Sequence, residues 1–130
     1  MLKNEGIVTG SPKIMLRFEG LFVFLLATIY YFEQGYPWHL YALLFFVPDL
    51  AILAYLKSPK AGASLYNFTH SYFFPLAFTL LNYLLFDLKT PNVFMVIWVA
   101  HIGFDRALGF GLKYPSGFKS THLGWLGNKV

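Results

Sequence analysis

The chain has no cysteine. Disulfides and thiolate metal ligands are therefore excluded, and redox compartment cannot be read from cysteine usage. Charge is scarce too: Asp, Glu, Lys and Arg make up 12% of the residues, where a soluble domain carries about 25%. No GxxxxGK[ST] phosphate loop is present, and there is no internal repeat and no low-complexity tract. The basic residues are scattered rather than clustered, which argues against a nucleic-acid partner. The net charge of +4 instead reports membrane topology and contact with anionic head groups. The first 13 residues are polar, and the apolar run behind them lacks a small-residue cleavage site. No cleavable signal peptide is expected, and the first span would itself drive insertion.

What is abundant is apolar and aromatic. Hydrophobic residues make up 57% of the chain and aromatics 21%, with a mean hydropathy of +0.54. Four apolar runs stand out, at about 14–32, 40–56, 63–86 and 93–112. Each approaches the roughly 20 residues that cross a hydrocarbon core. Short connectors containing proline or glycine separate them. Strands are disfavoured, because the runs are long, lack alternation and would leave backbone groups unpaired in lipid. The expected fold is all-α: a single integral-membrane domain over 1–130, with four transmembrane helices in an antiparallel bundle and a solvated cytoplasmic tail at 113–130. Lys3, Lys13 and Arg17 precede or begin the first span, Lys57 and Lys60 occupy the second connector, and Lys113, Lys119 and Lys129 lie in the tail. The positive-inside rule then places both termini in the cytoplasm.

This topology sets the depth of the ionisable residues. Counting at 1.5 Å per residue puts Glu19, Asp49, His70, Asp105 and His101 roughly 8–16 Å below the cytoplasmic ends of their helices. Every span thus delivers an ionisable group to one layer of the inner half, and Asn67 and Arg106 belong to it. Charged groups in a bilayer cost about 2.5–3.5 kcal/mol each on insertion scales, so their default reading is functional. The layer describes a polar pocket opening towards the cytoplasm.

His101 and Asp105 are four apart on one helical face. Such a pair can hold a divalent metal, or the carboxylate can orient the imidazole for base catalysis. His70 follows Asn67 by three and Tyr66 by four, and can join the same site. The candidate metal ligands are His70, His101 and Asp105. Glu19 and Asp49 complete the candidate catalytic set as acid, base or further ligand. Tyr66, Asn67, Arg17, Arg106 and His122 are candidate substrate or supporting residues. Haem between the two histidines is disfavoured, because four short spans offer no wide slot. For the tail the alternative to solvation is a lid, with Thr121 and His122 folding back over the pocket mouth.

The closing segment "HIGFDR…GLKY…F…THLG" resembles an uncharacterised family of small four-span bacterial membrane proteins. The resemblance extends over nearly the whole chain. It includes Arg17 and Glu19 in "R-x-E-G", Asp49, and Tyr66, Asn67 and His70 in "YN-x-x-H". It closes on His101, Asp105, Arg106, Lys113, Tyr114, Thr121, His122 and Gly124. Phe110 stands where that family commonly has tyrosine. The resemblance implies a bacterial inner (cytoplasmic) membrane protein and brings no substrate with it.

Three functions fit this layer, in order of preference. The first is a small hydrolase, metal-dependent or glutamate-assisted, acting on a lipid-like substrate. The second is a protein that binds or transports a cation, proton or small amine. The third is a structural subunit. The sequence does not decide whether the chain is an enzyme. Membrane lipid is the expected partner, and a homodimer is compatible with spans this short.

Overall fold

The structure is a computed structural model and describes residues 6–126; Lys3 and Lys129 lie outside them. It is mostly helical. In chain order the helices are α1 (Gly10–Glu33), α2 (Trp38–Leu44), a 3₁₀ segment (Val47–Leu56), α3 (Pro59–His70), α4 (Phe73–Phe86) and α5 (Val93–Ala107). A small antiparallel hairpin follows, β1 (Ser120–Thr121) with β2 (Gly124–Trp125), pairing Ser120 with Trp125 and Thr121 with Gly124. Two helical stretches are long and apolar enough to cross a membrane, Gly10–Glu33 and Trp38–Leu56.

Three of the expected runs are interrupted or shortened, each for a local reason. The second breaks at Phe45–Phe46 and continues as the 3₁₀ segment, whose second residue is Pro48. The third is two helices, not one. Ser71 is extended (φ −101°, ψ 132°), so α3 ends at His70. Pro75 then sits in the first turn of α4, where its missing N–H costs no helical hydrogen bond. The fourth stops at Ala107 rather than at 112. Gly109 takes a left-handed φ of +91°, and the N–H groups of Gly109 and Phe110 turn back onto the carbonyls of Arg106 and Asp105. That is a glycine-assisted helix end.

The ten residues of the 3₁₀ segment follow a three-residue period, as its geometry of about three residues per turn requires. Val47, Leu50, Leu53 and Leu56 form one exposed edge. Pro48, Ala51 and Ala54 form an inner edge, with Pro48 and Ala51 buried. Asp49, Ile52 and Tyr55 form the third edge, between the other two and half-buried. Small residues on the inner edge let the segment lie close on α3.

α1 and α5 run antiparallel in close contact. A Cβ built on Gly20 would lie 2.8 Å from the Gly103 carbonyl, and one on Gly103 would lie 2.7 Å from the Gly20 carbonyl. Only glycine permits this approach, a packing mode common between membrane helices. Further along the pair, Tyr31, Phe45, Val96, Ile97 and Ala100 form the buried apolar cluster. Tyr31 donates to the Pro37 carbonyl at 2.7 Å, which satisfies its hydroxyl inside that cluster.

The expected solvated tail is instead packed against the helices over its described part. Lys113, Thr121 and Leu123 are buried. Lys113 pairs with Thr121 in an isolated bridge. His122 accepts from the Leu112 N–H through Nδ1 (2.8 Å) and returns its own N–H to the Leu112 carbonyl (3.0 Å). Val8 donates to the His122 carbonyl, and the Tyr114 hydroxyl donates to the Gly6 carbonyl. The tail lies so close over Gly111 that a side chain there would strike the His122 ring.

Candidate metal centre

His101 and Asp105 come from successive turns of α5, and the Gly20–Gly103 contact seats that stretch against α1. His70 is the last residue of α3. Asp49 comes from the first turn of the 3₁₀ segment, beside Pro48. Thr69 ties these last two elements together by donating to the Pro48 carbonyl at 3.0 Å.

The four side chains converge. His70 Nε2 lies 3.1 Å from Asp49 Oδ1, 3.2 Å from Asp105 Oδ2 and 3.1 Å from His101 Nε2. His101 Nε2 lies 3.2 Å from each of the same carboxylate oxygens. All four atoms fall within 4.8 Å of one another. They are therefore the corners of a tetrahedron, with at most one long edge, between the two carboxylates. A point equidistant from the four lies roughly 2.0–2.4 Å from each, overlapping the usual Zn–N and Zn–O bond lengths. The two ring nitrogens are too close to hold a haem plane between them.

Hydrogen bonding selects the same reading. His70 Nδ1 lies 2.9 Å from the Tyr66 carbonyl and 2.8 Å from the Thr69 hydroxyl; the carbonyl can only accept, so Nδ1 carries a proton and Nε2 is the atom turned to the cluster. Nε2 faces two carboxylate oxygens and a second ring nitrogen. Protons on both Nε2 atoms would set two N–H groups against each other across 3.1 Å, and a single proton cannot serve three acceptors. A shared cation satisfies all four atoms at once. Two neutral imidazoles and two carboxylates supply a charge of −2, which a divalent ion neutralises. An Nδ1–H held by a carbonyl is also the usual way a metal-ligating histidine is oriented. His101 Nδ1 is buried and makes no hydrogen bond among the described residues; its ring packs edge-on against Phe45 and Phe46.

The surroundings hold His70 in place. Tyr66 stacks flat on its ring, with centroids 3.7 Å apart and planes 6° from parallel. The carbonyls freed where α3 stops are taken up by side chains. Trp98 Nε1 donates to Thr69 (2.6 Å) and Arg106 Nη2 donates to His70 (2.9 Å). Arg106 also reaches the Phe110 carbonyl at 3.3 Å. It thus caps the end of α3, braces the turn that follows α5, and supports the centre through His70.

The remaining candidate residues divide. Asn67 does not reach the four ligands. Its amide makes two hydrogen bonds to the backbone of Lys113, at 2.8 and 2.7 Å. His122 and Thr121 belong to the folded tail. Glu19, expected in the same layer, is exposed on α1 and outside the cluster. Its neighbour Gly20 takes the contact with α5, and the roughly 100° step per residue turns Glu19 away. Arg17 donates from Nε to the Ala107 carbonyl at 2.9 Å and so caps α5.

Lys113 is the residue that charge counting alone passes over. Its Nζ lies 3.8 Å from the Phe118 ring centroid and 4.5 Å from that of Tyr66, and donates to the Phe118 carbonyl at 2.7 Å. Burial pushes its ammonium down to about 8, against the opposing pull of Asp105 and Asp49. Burial likewise lowers the His122 imidazole, helped by the nearby Arg106 charge. A separate apolar groove of about 650 Å³ runs between α1, α4 and α5 and is lined by none of the four ligands.

The chain belongs to a family described as a domain of unknown function (DUF4260), whose family model matches residues 13–126. No curated protein and no solved structure matches it.

Proposed function

We propose that this protein is a four-span membrane protein that holds one divalent metal ion on Asp49, His70, His101 and Asp105 and uses it for hydrolysis. The observation that carries the reading is the tetrahedron of four lone-pair atoms, five of whose edges measure 3.1–3.2 Å. A nitrogen–oxygen donor set without thiolate suits zinc and other borderline or hard divalent ions. When bound, such an ion lowers the pKa of a coordinated water towards 7 and polarises a carbonyl or phosphoryl oxygen. Asp49 is the ligand suited to take the water's proton. Its side chain is 36% exposed, whereas those of His70, His101 and Asp105 are 2%, 1% and 12% exposed. A carboxylate this exposed would serve as the base beside the ion and is the ligand that could give way to water or substrate. Hydrolysis would add the hydroxyl of water to the acyl or phosphoryl centre, with the proton held by Asp49 passing to the departing oxygen.

The orientation that fits is a bacterial inner membrane with both termini cytoplasmic. The exposed apolar side chains of α1, among them Ile14, Phe18, Phe22, Leu26 and Ile29, suit contact with lipid. A cation-handling protein is the second reading, and the same donor set favours it. The two separate by turnover.

The test is metal analysis of detergent-purified protein beside the H101A variant. About one equivalent of divalent metal in the wild type, with at least a hundredfold weaker binding in H101A, is the expected result. Equal metal content in both would overturn the assignment. Metal-dependent release of product from ester or phosphoester amphiphiles then decides for hydrolysis over transport.

A further inference from the structure

We propose that the metal centre opens sideways into the membrane at the 3₁₀ segment, and that its ligand is a membrane-dissolved amphiphile whose oxygen-bearing head displaces Asp49. The inference rests on the metal reading above and names the class of molecule that site accepts.

Among the described residues the other three ligands are enclosed, their side chains 2% (His70), 1% (His101) and 12% (Asp105) exposed against 36% for Asp49. The Tyr66 ring lies flat on His70. Phe45 lies edge-on against His101 at 5.1 Å. His101 and Asp105 are buried in α5. The tail closes the end of the helices that carries the second connector. Asn67 clamps the Lys113 backbone there, Lys113 lies over Tyr66, and Phe118 packs on Tyr55 with centroids 5.4 Å apart. Tyr55 and Asp49 share one edge of the 3₁₀ segment but are six residues apart, about 12 Å at 2.0 Å per residue. The tail therefore covers the Tyr55 end and leaves Asp49 clear.

What lies beside Asp49 is apolar. Phe46 and Leu50 are each 61% exposed and Leu53 is 62% exposed. Leu50 and Leu53 belong to the outer edge that the three-residue period builds, Phe46 precedes the segment in register with Asp49, and in a bilayer these exposed side chains face acyl chains. The uncovered ligand of the centre thus borders lipid rather than water. An amphiphile can lay its chain along Leu50 and Leu53 and bring its head to the ion. A water-soluble molecule of the same head-group chemistry has no matching route.

The experiment uses the full chain in lipid vesicles, loaded with cobalt(II) as a visible reporter of coordination. Dodecyl hydroxamate, which partitions into the bilayer, is compared with acetohydroxamate, which stays in water. Both carry the same metal-binding head. The expected result is a change in the cobalt spectrum with the dodecyl compound at a concentration at least about tenfold lower. A Leu50→Gln/Leu53→Gln variant, with unchanged cobalt stoichiometry, should need about tenfold more of the dodecyl compound while acetohydroxamate titrates as before. Equal or better action of acetohydroxamate would show a centre open to water and overturn the proposal. So would bound cobalt that responds to neither compound, or a lip variant that responds like the wild type. Failure of cobalt to bind the wild-type chain would overturn the metal reading and this proposal together, and is distinguishable because no spectrum appears before any hydroxamate is added.

Discussion

The two halves of this molecule solve the problem of burying backbone differently. α1 and α5 are unbroken, packed glycine to glycine, and filled between by Tyr31, Ile97 and Ala100. The 3₁₀ segment, α3 and the tail are short and irregular, and side chains complete what the backbone leaves unpaired: Trp98 for Thr69, Arg106 for His70, Asn67 for Lys113. Irregular backbone within a membrane is tolerated where it is enclosed by protein and satisfied. The four candidate ligands lie on the seam, two from each half. The regular half supplies a rigid pair on one helical face. The irregular half supplies ligands at chain breaks, where a side chain can be aimed without obeying a helical period.

The contrast can be broken hardest in the regular half. Gly103→Leu should cost more than about 3 kcal/mol, above the usual overpacking range, because the clash is with backbone rather than a yielding side chain. Thermal unfolding in detergent should show loss of the whole fold, not of the metal alone. Next comes the seam. Arg106→Lys keeps the charge but loses the forked donors, at an expected cost of about 1.5–3 kcal/mol. Metal affinity should fall about 10- to 100-fold because His70 loses its support. Unchanged affinity in calorimetric titration would remove Arg106 from the positioning role. In the irregular half, Asn67→Ala should cost about 1–3 kcal/mol for its two backbone hydrogen bonds. It should free the tail for cleavage by limited proteolysis while the α1–α5 pair stays folded.

The smallest effect is a pH dependence at Lys113. Its pKa in the folded protein lies below that of the unfolded chain, about 8 against about 10.4. Between those values the unfolded state binds more protons, so tail docking strengthens as pH rises from about 8 and levels off near 10.4. Below about 8 both states are protonated and the slope vanishes. Proteolytic protection of the tail should follow this course in the wild type and lose it in Lys113→Met.

How far the site was legible differs residue by residue. His101 and Asp105 were readable as a pair because four residues on a helix is a fixed geometric relation. His70 and Asp49 were readable as members of one polar layer, because ionisable groups in an apolar run are costly wherever the run folds. Glu19 met the same test of depth and does not join them. Depth says nothing about which way a helix is turned, and the Gly20–Gly103 contact sets that rotation. The 3₁₀ segment did carry a signal, the three-residue alternation in "VPDLAILAYL", which a helical period of 3.6 passes over. Lys113 was legible as part of the closing motif but only as a cytoplasmic charge, since nothing local marks a lysine that a distant tyrosine and phenylalanine will enclose.

The sequence by itself determined the apolar character of this chain and the chemistry available to it. Composition supplies the long apolar stretches, the absence of cysteine restricts any metal ligands to nitrogen and oxygen, and the closing motifs mark which polar residues belong together. Tertiary structure alone decided that Asp49, His70, His101 and Asp105 share one point, that Glu19 is left out, and that the tail closes the end of the helices. Those outcomes depend on helix rotation, on where proline and Ser71 interrupt the chain, and on contacts between residues tens of positions apart, and none of these is a property of a local stretch of sequence.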